Sequence, residues 1–156
     1  MARDARTQAA YVLGTWFGCG RTPLAPGTAG TIGAIPLYLL VRPFGVWAVA
    51  LAAVVATVVG VWASHIICDD SKLKDPQFVV IDEVAGVLVT LLVAPFSWHG
   101  VLAGFVLFRL FDQLKPWPAR AAEKWPRGWG VVMDDVFAGV WGIVVLLVLV
   151  HFKIVT

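Results

Sequence analysis

Five acidic side chains, Asp82, Glu83, Asp112, Asp134 and Asp135, fall in or beside stretches that otherwise carry almost no charge. A carboxylate in or against hydrocarbon is costly unless it is paired, hydrated or bound to a cation. The helix macrodipole favours negative charge at a helix start, which would account for Asp82 and Glu83 in one helix and Asp134 and Asp135 in another. It does not account for Asp112, expected at a helix C-terminus, nor for three acidic groups in one layer. Carboxylate oxygens converging from several helices suit a hard cation, Mg²⁺ or Mn²⁺, and no His/Cys spacing offers a zinc alternative. Asp69, Asp70 and Asp75 read as a solvated loop.

Cations accompany these carboxylates. Arg109 precedes Asp112 by three residues, so both share one helical face, and Lys115-Pro116-Trp117-Pro118 follows directly. Such a group can hold a phosphate next to a metal. The simpler alternative pairs Arg109 with Asp112, lets Lys115 reach toward lipid headgroups, and makes Trp117, Trp125 and Trp129 interfacial anchors. Gly18 to Thr31, rich in Gly, Pro and hydroxyls, precedes an apolar helix. A glycine-rich loop opening a helix can aim backbone N–H groups at an anion, with Thr28 and Thr31 as added donors and Arg21 close by; a simple loop whose small residues serve close helix packing is an equal alternative. It is not a Walker A loop, because no Gly-Lys-Ser/Thr follows.

His65, His99 and His151 stand where none can serve as base, and neither Cys19 nor Cys68 has an arginine six residues on. Carboxylates, a divalent ion and water must therefore carry the chemistry. Direct attack by a carboxylate, forming an aspartyl-phosphate, is the competing route.

The elements that position these groups are apolar. The chain has 156 residues, 60% hydrophobic and 14% charged, against roughly 25% charged in a soluble domain. With a mean hydropathy of +0.84, it reads as a single membrane domain over 1–156. A formal charge of +2 is too small and scattered for nucleic-acid binding. Two cysteines make no disulfide framework, and MARDART lacks the apolar stretch of a signal peptide.

Phe44 to Ile67 and Val136 to Val150 are clear spans, while Thr28 to Val41, Val79 to Ala94 and Val101 to Phe111 are weaker. The expected fold is therefore an all-α integral membrane bundle of about five membrane-embedded helices with short connections. Turns at Arg42-Pro43 and at Ala94 to Gly100 should pair the first helix with the second and the third with the fourth. One side then carries Arg3, Arg6, Arg21, Lys72, Lys74, Lys115, Arg120, Lys124 and Arg127, with Arg109 near it, and the other only Arg42 and Lys153. The positive-inside bias puts the first side, and the acidic layer, in the cytoplasm. A small cation transporter or channel is the alternative, but it needs carboxylates at several depths. A CDP-alcohol lipid transferase would need a denser Asp array within one helix pair.

Taken together, Gly18-x-Gly20 with Pro26-Gly27-Thr28-x-Gly30-Thr31, Ile81-Asp82-Glu83-x-x-Gly86, Arg109-x-x-Asp112-x-x-Lys115-Pro116-x-Pro118, and Gly128-x-Gly130-x-x-Met133-Asp134-Asp135-x-x-Ala138-Gly139 resemble the phosphatidylglycerophosphatase A family. The resemblance runs in order from about Gly14 to Gly142 with no departure at a charged motif position; Thr31 stands where serine is common. It implies an all-helical, multi-pass enzyme of the bacterial inner membrane. Such an enzyme hydrolyses phosphatidylglycerophosphate to phosphatidylglycerol and phosphate with Mg²⁺, the last step in making that anionic lipid.

Overall fold

The structure is a computed structural model describing residues 4–156; Arg3, counted above among the cytoplasmic charges, lies outside the described residues. Among the described residues there are seven α-helices and no strand: α1 (Ala5–Gly14), α2 (Pro26–Val41), α3 (Val46–Ser71), α4 (Ile81–Leu91), α5 (Trp98–Leu114), α6 (Ala119–Ala122) and α7 (Gly128–His151). The expected all-α class holds. At about 1.5 Å per residue, α3 with 26 residues and α7 with 24 are long and apolar enough to cross a membrane. By the same arithmetic α2, α4 and α5 reach only about 24, 16 and 25 Å.

α4 is the centre of the bundle. Nine of its residues, from Ile81 to Leu91, are buried, and α2, α3, α5 and α7 all pack against it. The closest crossing, α4 on α7, is made by small residues that let backbones approach. A Cβ on Gly139 would strike the Gly86 carbonyl, and one on Gly142 would meet Thr90. Thr90 Oγ1 bridges the two helices, donating to the Gly139 carbonyl at 3.2 Å. The two neighbour pairs expected from the turns are thus not the main ones: α2 packs on α4 more than on α3, and α5 on α7 more than on α4, while the consecutive α3 and α4 do pack extensively.

Caps and turns set the helix ends. Ser97 accepts from the Gly100 N–H at 3.1 Å at the start of α5 and donates to the Thr156 carbonyl at 2.6 Å. Lys115, in the left-handed region with φ of 46°, closes α5. α1 was not expected. Asp4 caps it by accepting from the Thr7 N–H at 2.9 Å, and its Ala10, Tyr11 and Gly14 face Ala63 and Ile67 of α3.

Candidate active site at the charged end of the bundle

The ends of four helices and the connection between α3 and α4 meet at one cavity of about 320 Å³. The first turn of α4 brings Asp82 and Glu83, the last two turns of α5 bring Arg109 and Asp112, and α7 brings Asp134 and Asp135. The connection adds Asp75 and Gln77, and the start of α2 adds Ala25, Pro26 and Gly27. Six carboxylates and two cations, Arg109 and Lys115, therefore line it. The far end holds Arg42, which lies over the Phe96 ring, and Lys153; the carboxylates gathered at the cavity occupy one level rather than a path through the bundle.

Carboxylate oxygens of Asp82, Glu83 and Asp135 lie within 4.8 Å of one another. Asp82 and Asp135 are buried, at 8% and 4% exposure. At an effective dielectric constant near 20, each pair at such a distance would repel by about 3 kcal/mol with both members ionised. Asp82 Oδ1 and Glu83 Oε2 are buried without a hydrogen-bond partner, which is uncommon for buried polar atoms. Oxygen donors alone, converging and unsatisfied, fit Mg²⁺ or Mn²⁺.

Asp112 and Asp134 stand beside this trio and are held by cations. Arg109 Nη1 is 2.8 Å from Asp112 Oδ2 and 3.9 Å from Glu83 Oε1. Yet its buried Nε and Nη1 make no hydrogen bond, so the Asp112 contact is an ion pair that leaves the guanidinium donors unsatisfied. Lys115 Nζ donates to Glu123 Oε1 at 2.6 Å and to Asp134 Oδ2 at 2.7 Å. Burial disfavours the ammonium, but these two hydrogen bonds outweigh it and hold the Lys115 pKa above its ordinary value. Asp134 Oδ1 stays buried and unpartnered.

Several expectations need correction. α7 begins at Gly128, so Asp134 and Asp135 lie in its second turn, not at its start; the macrodipole does not explain them. Thr31 is fully buried and its hydroxyl donates to the Gly27 carbonyl of its own helix at 2.8 Å. Neither Thr28 nor Arg21 lines the cavity, and Arg21 is exposed. What α2 presents instead is backbone. Ala29 is the first residue of the helix to bond back, to the Ala25 carbonyl at 3.1 Å, so the Gly27 and Thr28 N–H groups have no partner within α2. Gly27 is glycine for a local reason: a Cβ there would collide with Glu83 Oε1.

Asp69 and Asp70 belong to the last turn of α3 rather than to a loop. Asp69 accepts from Arg127 at 3.2 Å, and Asp70 from the Tyr11 hydroxyl at 2.9 Å. Asp75, assigned to the same loop, lines the cavity. Glu123 was missed as the partner of Lys115, although it is the one acidic residue between Asp112 and Asp134.

Comparison with known proteins identifies the family. Residues 12–150 match the PgpA family, described as Phosphatidylglycerophosphatase A. The Phosphatidylglycerophosphatase A of Escherichia coli is 37% identical over 133 residues, covering 83% of this chain and 77% of that protein. The protein of the same name from Haemophilus influenzae is 33% identical over 147 residues, covering 92% and 90%. A Bacteroides thetaiotaomicron protein with the provisional name phosphatidylinositol-3-phosphatase is 42% identical over 147 residues, covering 88% and 91%. No solved structure matches the chain. A match across nearly the whole chain, with every acidic motif residue at one cavity, makes this chain a member of the phosphatidylglycerophosphatase A family and a phosphoric monoester hydrolase.

Proposed function

We propose that the protein hydrolyses phosphatidylglycerophosphate to phosphatidylglycerol and inorganic phosphate with Mg²⁺, in the bacterial inner membrane, from a multi-pass bundle whose site faces the cytoplasm. The observation that carries this reading is the trio Asp82, Glu83 and Asp135 within 4.8 Å, beside Arg109, at the charged end of an apolar bundle. A lipid in the leaflet presents its terminal phosphomonoester at that level. The excess of basic residues at this end supports the orientation.

Asp82, Glu83 and Asp135 would hold the ion. Bound Mg²⁺ supplies charge neutralisation for an entering phosphate and acidifies water at the site. The unsatisfied donors of Arg109 reach the phosphoryl oxygens, and Asp112 holds that guanidinium in place. The Gly27 amide is a further donor at the start of α2. Lys115 keeps one oxygen of Asp134 engaged; we assign its free Oδ1 the proton leaving the attacking water. Water oxygen bonds to phosphorus as the ester P–O bond breaks, and the departing glycerol oxygen takes the proton that Asp134 accepted from the water, leaving as a hydroxyl.

The name of the Bacteroides relative favours a second reading, a phosphoinositide monoester as substrate. Phosphate release by purified protein from phosphatidylglycerophosphate, phosphatidic acid and phosphatidylinositol 3-phosphate, before and after chelation, tests both. The glycerophosphate lipid should be cleaved fastest, with activity lost on chelation and restored by Mg²⁺. Release that ignores chelation removes the ion from the scheme, and faster cleavage of the inositol lipid replaces the substrate.

Arg109→Lys keeps the charge but loses the planar fork. It should lower kcat/KM by about 10²-fold, the effect of losing one preorganised donor, with little change in melting temperature. Steady-state kinetics beside a thermal melt checks this.

A further inference from the structure

An apolar groove of about 590 Å³ lies between α2 and α5. It exists because both helices pack against α4 and barely against each other. Ile32, Ile35 and Leu39 form one wall, Val101, Leu102 and Phe105 the other, and the 96–98 turn closes its far end. That turn is anchored by the hydrogen bond from Ser97 to the Thr156 carbonyl.

The groove is in register with the polar cavity. On α5, Trp98, Val101, Phe105, Arg109 and Asp112 follow one another at steps of three or four, so they share a face. Arg109 thus stands one turn beyond the end of the groove. On α2, a step of four back from Ile32 reaches Thr28, beside Gly27 at the cavity. From Gly27 to Leu39 is about 18 Å along α2, and from Arg109 to Trp98 about 16 Å along α5. Half of a ~30 Å hydrocarbon core is about 15 Å, the depth of one leaflet. The groove therefore descends from the cavity through the depth that one acyl chain occupies below its headgroup.

We propose that this groove binds a fatty acyl chain of the lipid whose phosphomonoester is cleaved, so that the lipid enters sideways between α2 and α5. The inference rests on the lipid phosphatase reading above and adds what holds the apolar part of the substrate. Binding energy gathered along the chain then positions the headgroup under Arg109.

The test compares a dioleoyl substrate with a dibutyryl substrate of the same headgroup, both in mixed micelles, for wild type, Ile35→Trp, Leu102→Trp and Val106→Trp. Ile35 and Leu102 line the groove, whereas Val106 is 52% exposed and lies outside it. Filling the groove should cut kcat/KM for the dioleoyl lipid by about tenfold or more, with KM raised and kcat lowered, as expected when remote binding contacts that position the headgroup are lost. The dibutyryl substrate should stay within about twofold, and Val106→Trp should change neither. Unchanged long-chain kinetics in both groove variants would mean that the groove holds bulk lipid only and would overturn the proposal, as would an equal fall on both substrates. Wild-type protein that cleaves neither substrate would overturn the functional reading, and this inference with it.

Discussion

Asp82→Asn and Asp135→Asn should each lower Mg²⁺-dependent phosphate release on the order of 10³-fold, at least the loss seen when one preorganised stabilising group is removed, while melting no lower than wild type in metal-free detergent. The two signs are opposed for one physical reason. Asp82, Glu83 and Asp135 bring carboxylate oxygens within 4.8 Å of each other, and neutralising one relieves repulsion that the empty site must otherwise bear. The same change removes one of the oxygens proposed to hold the ion. Wild type should therefore gain stability with added Mg²⁺, by about 2.7 kcal/mol at a concentration 100 times the Kd, and the variants should gain little. Thermal melts with and without Mg²⁺, run beside phosphate release, read both effects. Variants that melt far lower without metal would show the carboxylates to be structural, and variants that keep full activity would remove them from the site.

Gly86→Ala should cost activity by a different route. A Cβ at Gly86 would lie 2.6 Å from the Asp135 carbonyl oxygen and press on the Phe108 ring. Backbone cannot rotate aside as a side chain can, so α4 and α7 must separate, at about 1–3 kcal/mol for overpacking of this kind. Gly86 lies one turn beyond Asp82, and Gly139, which meets it, one turn beyond Asp135. Spreading the crossing therefore spreads the carboxylates that α4 and α7 carry. Since placement errors near 1 Å can cost about 10²-fold, activity should fall by that order with a lowered melting temperature, and excess Mg²⁺ should restore only part of it. A Gly86→Ala protein that melts and turns over like wild type would show the crossing to be looser than its contacts indicate.

Much of the site was legible because charge is scarce in this chain. Asp82, Glu83, Asp112, Asp134 and Asp135 stand out against apolar surroundings, and the three-residue step from Arg109 to Asp112 places them on one face of α5. The donors assigned to the start of α2 were less legible. Thr28, Thr31 and Arg21 have suitable chemistry, but helix geometry turns the Thr31 hydroxyl onto its own backbone, and the group left at the cavity is the glycine beside them. The start of α7 lies six residues before Asp134, at Gly128, and was not legible because the apolar run that marks the span begins only at Val136. A Cβ at Gly128 would meet the Val61 carbonyl, and one at Gly130 the Trp125 carbonyl, so both glycines serve close approach in the first turn of α7.

What the residues alone determined was composition by segment: which stretches are helical and apolar, and which few side chains are too costly there to be idle. That information is local, carried by hydropathy and by three- and four-residue steps. Only the tertiary structure decided that Asp82, Glu83 and Asp135 form the oxygen trio while Asp112 and Asp134 are held by Arg109 and Lys115, and that Asp75 and Glu123 join the site. Those assignments depend on how α4 crosses α7 and where the connections fold back, and contacts between residues far apart in the chain leave no periodic trace in it.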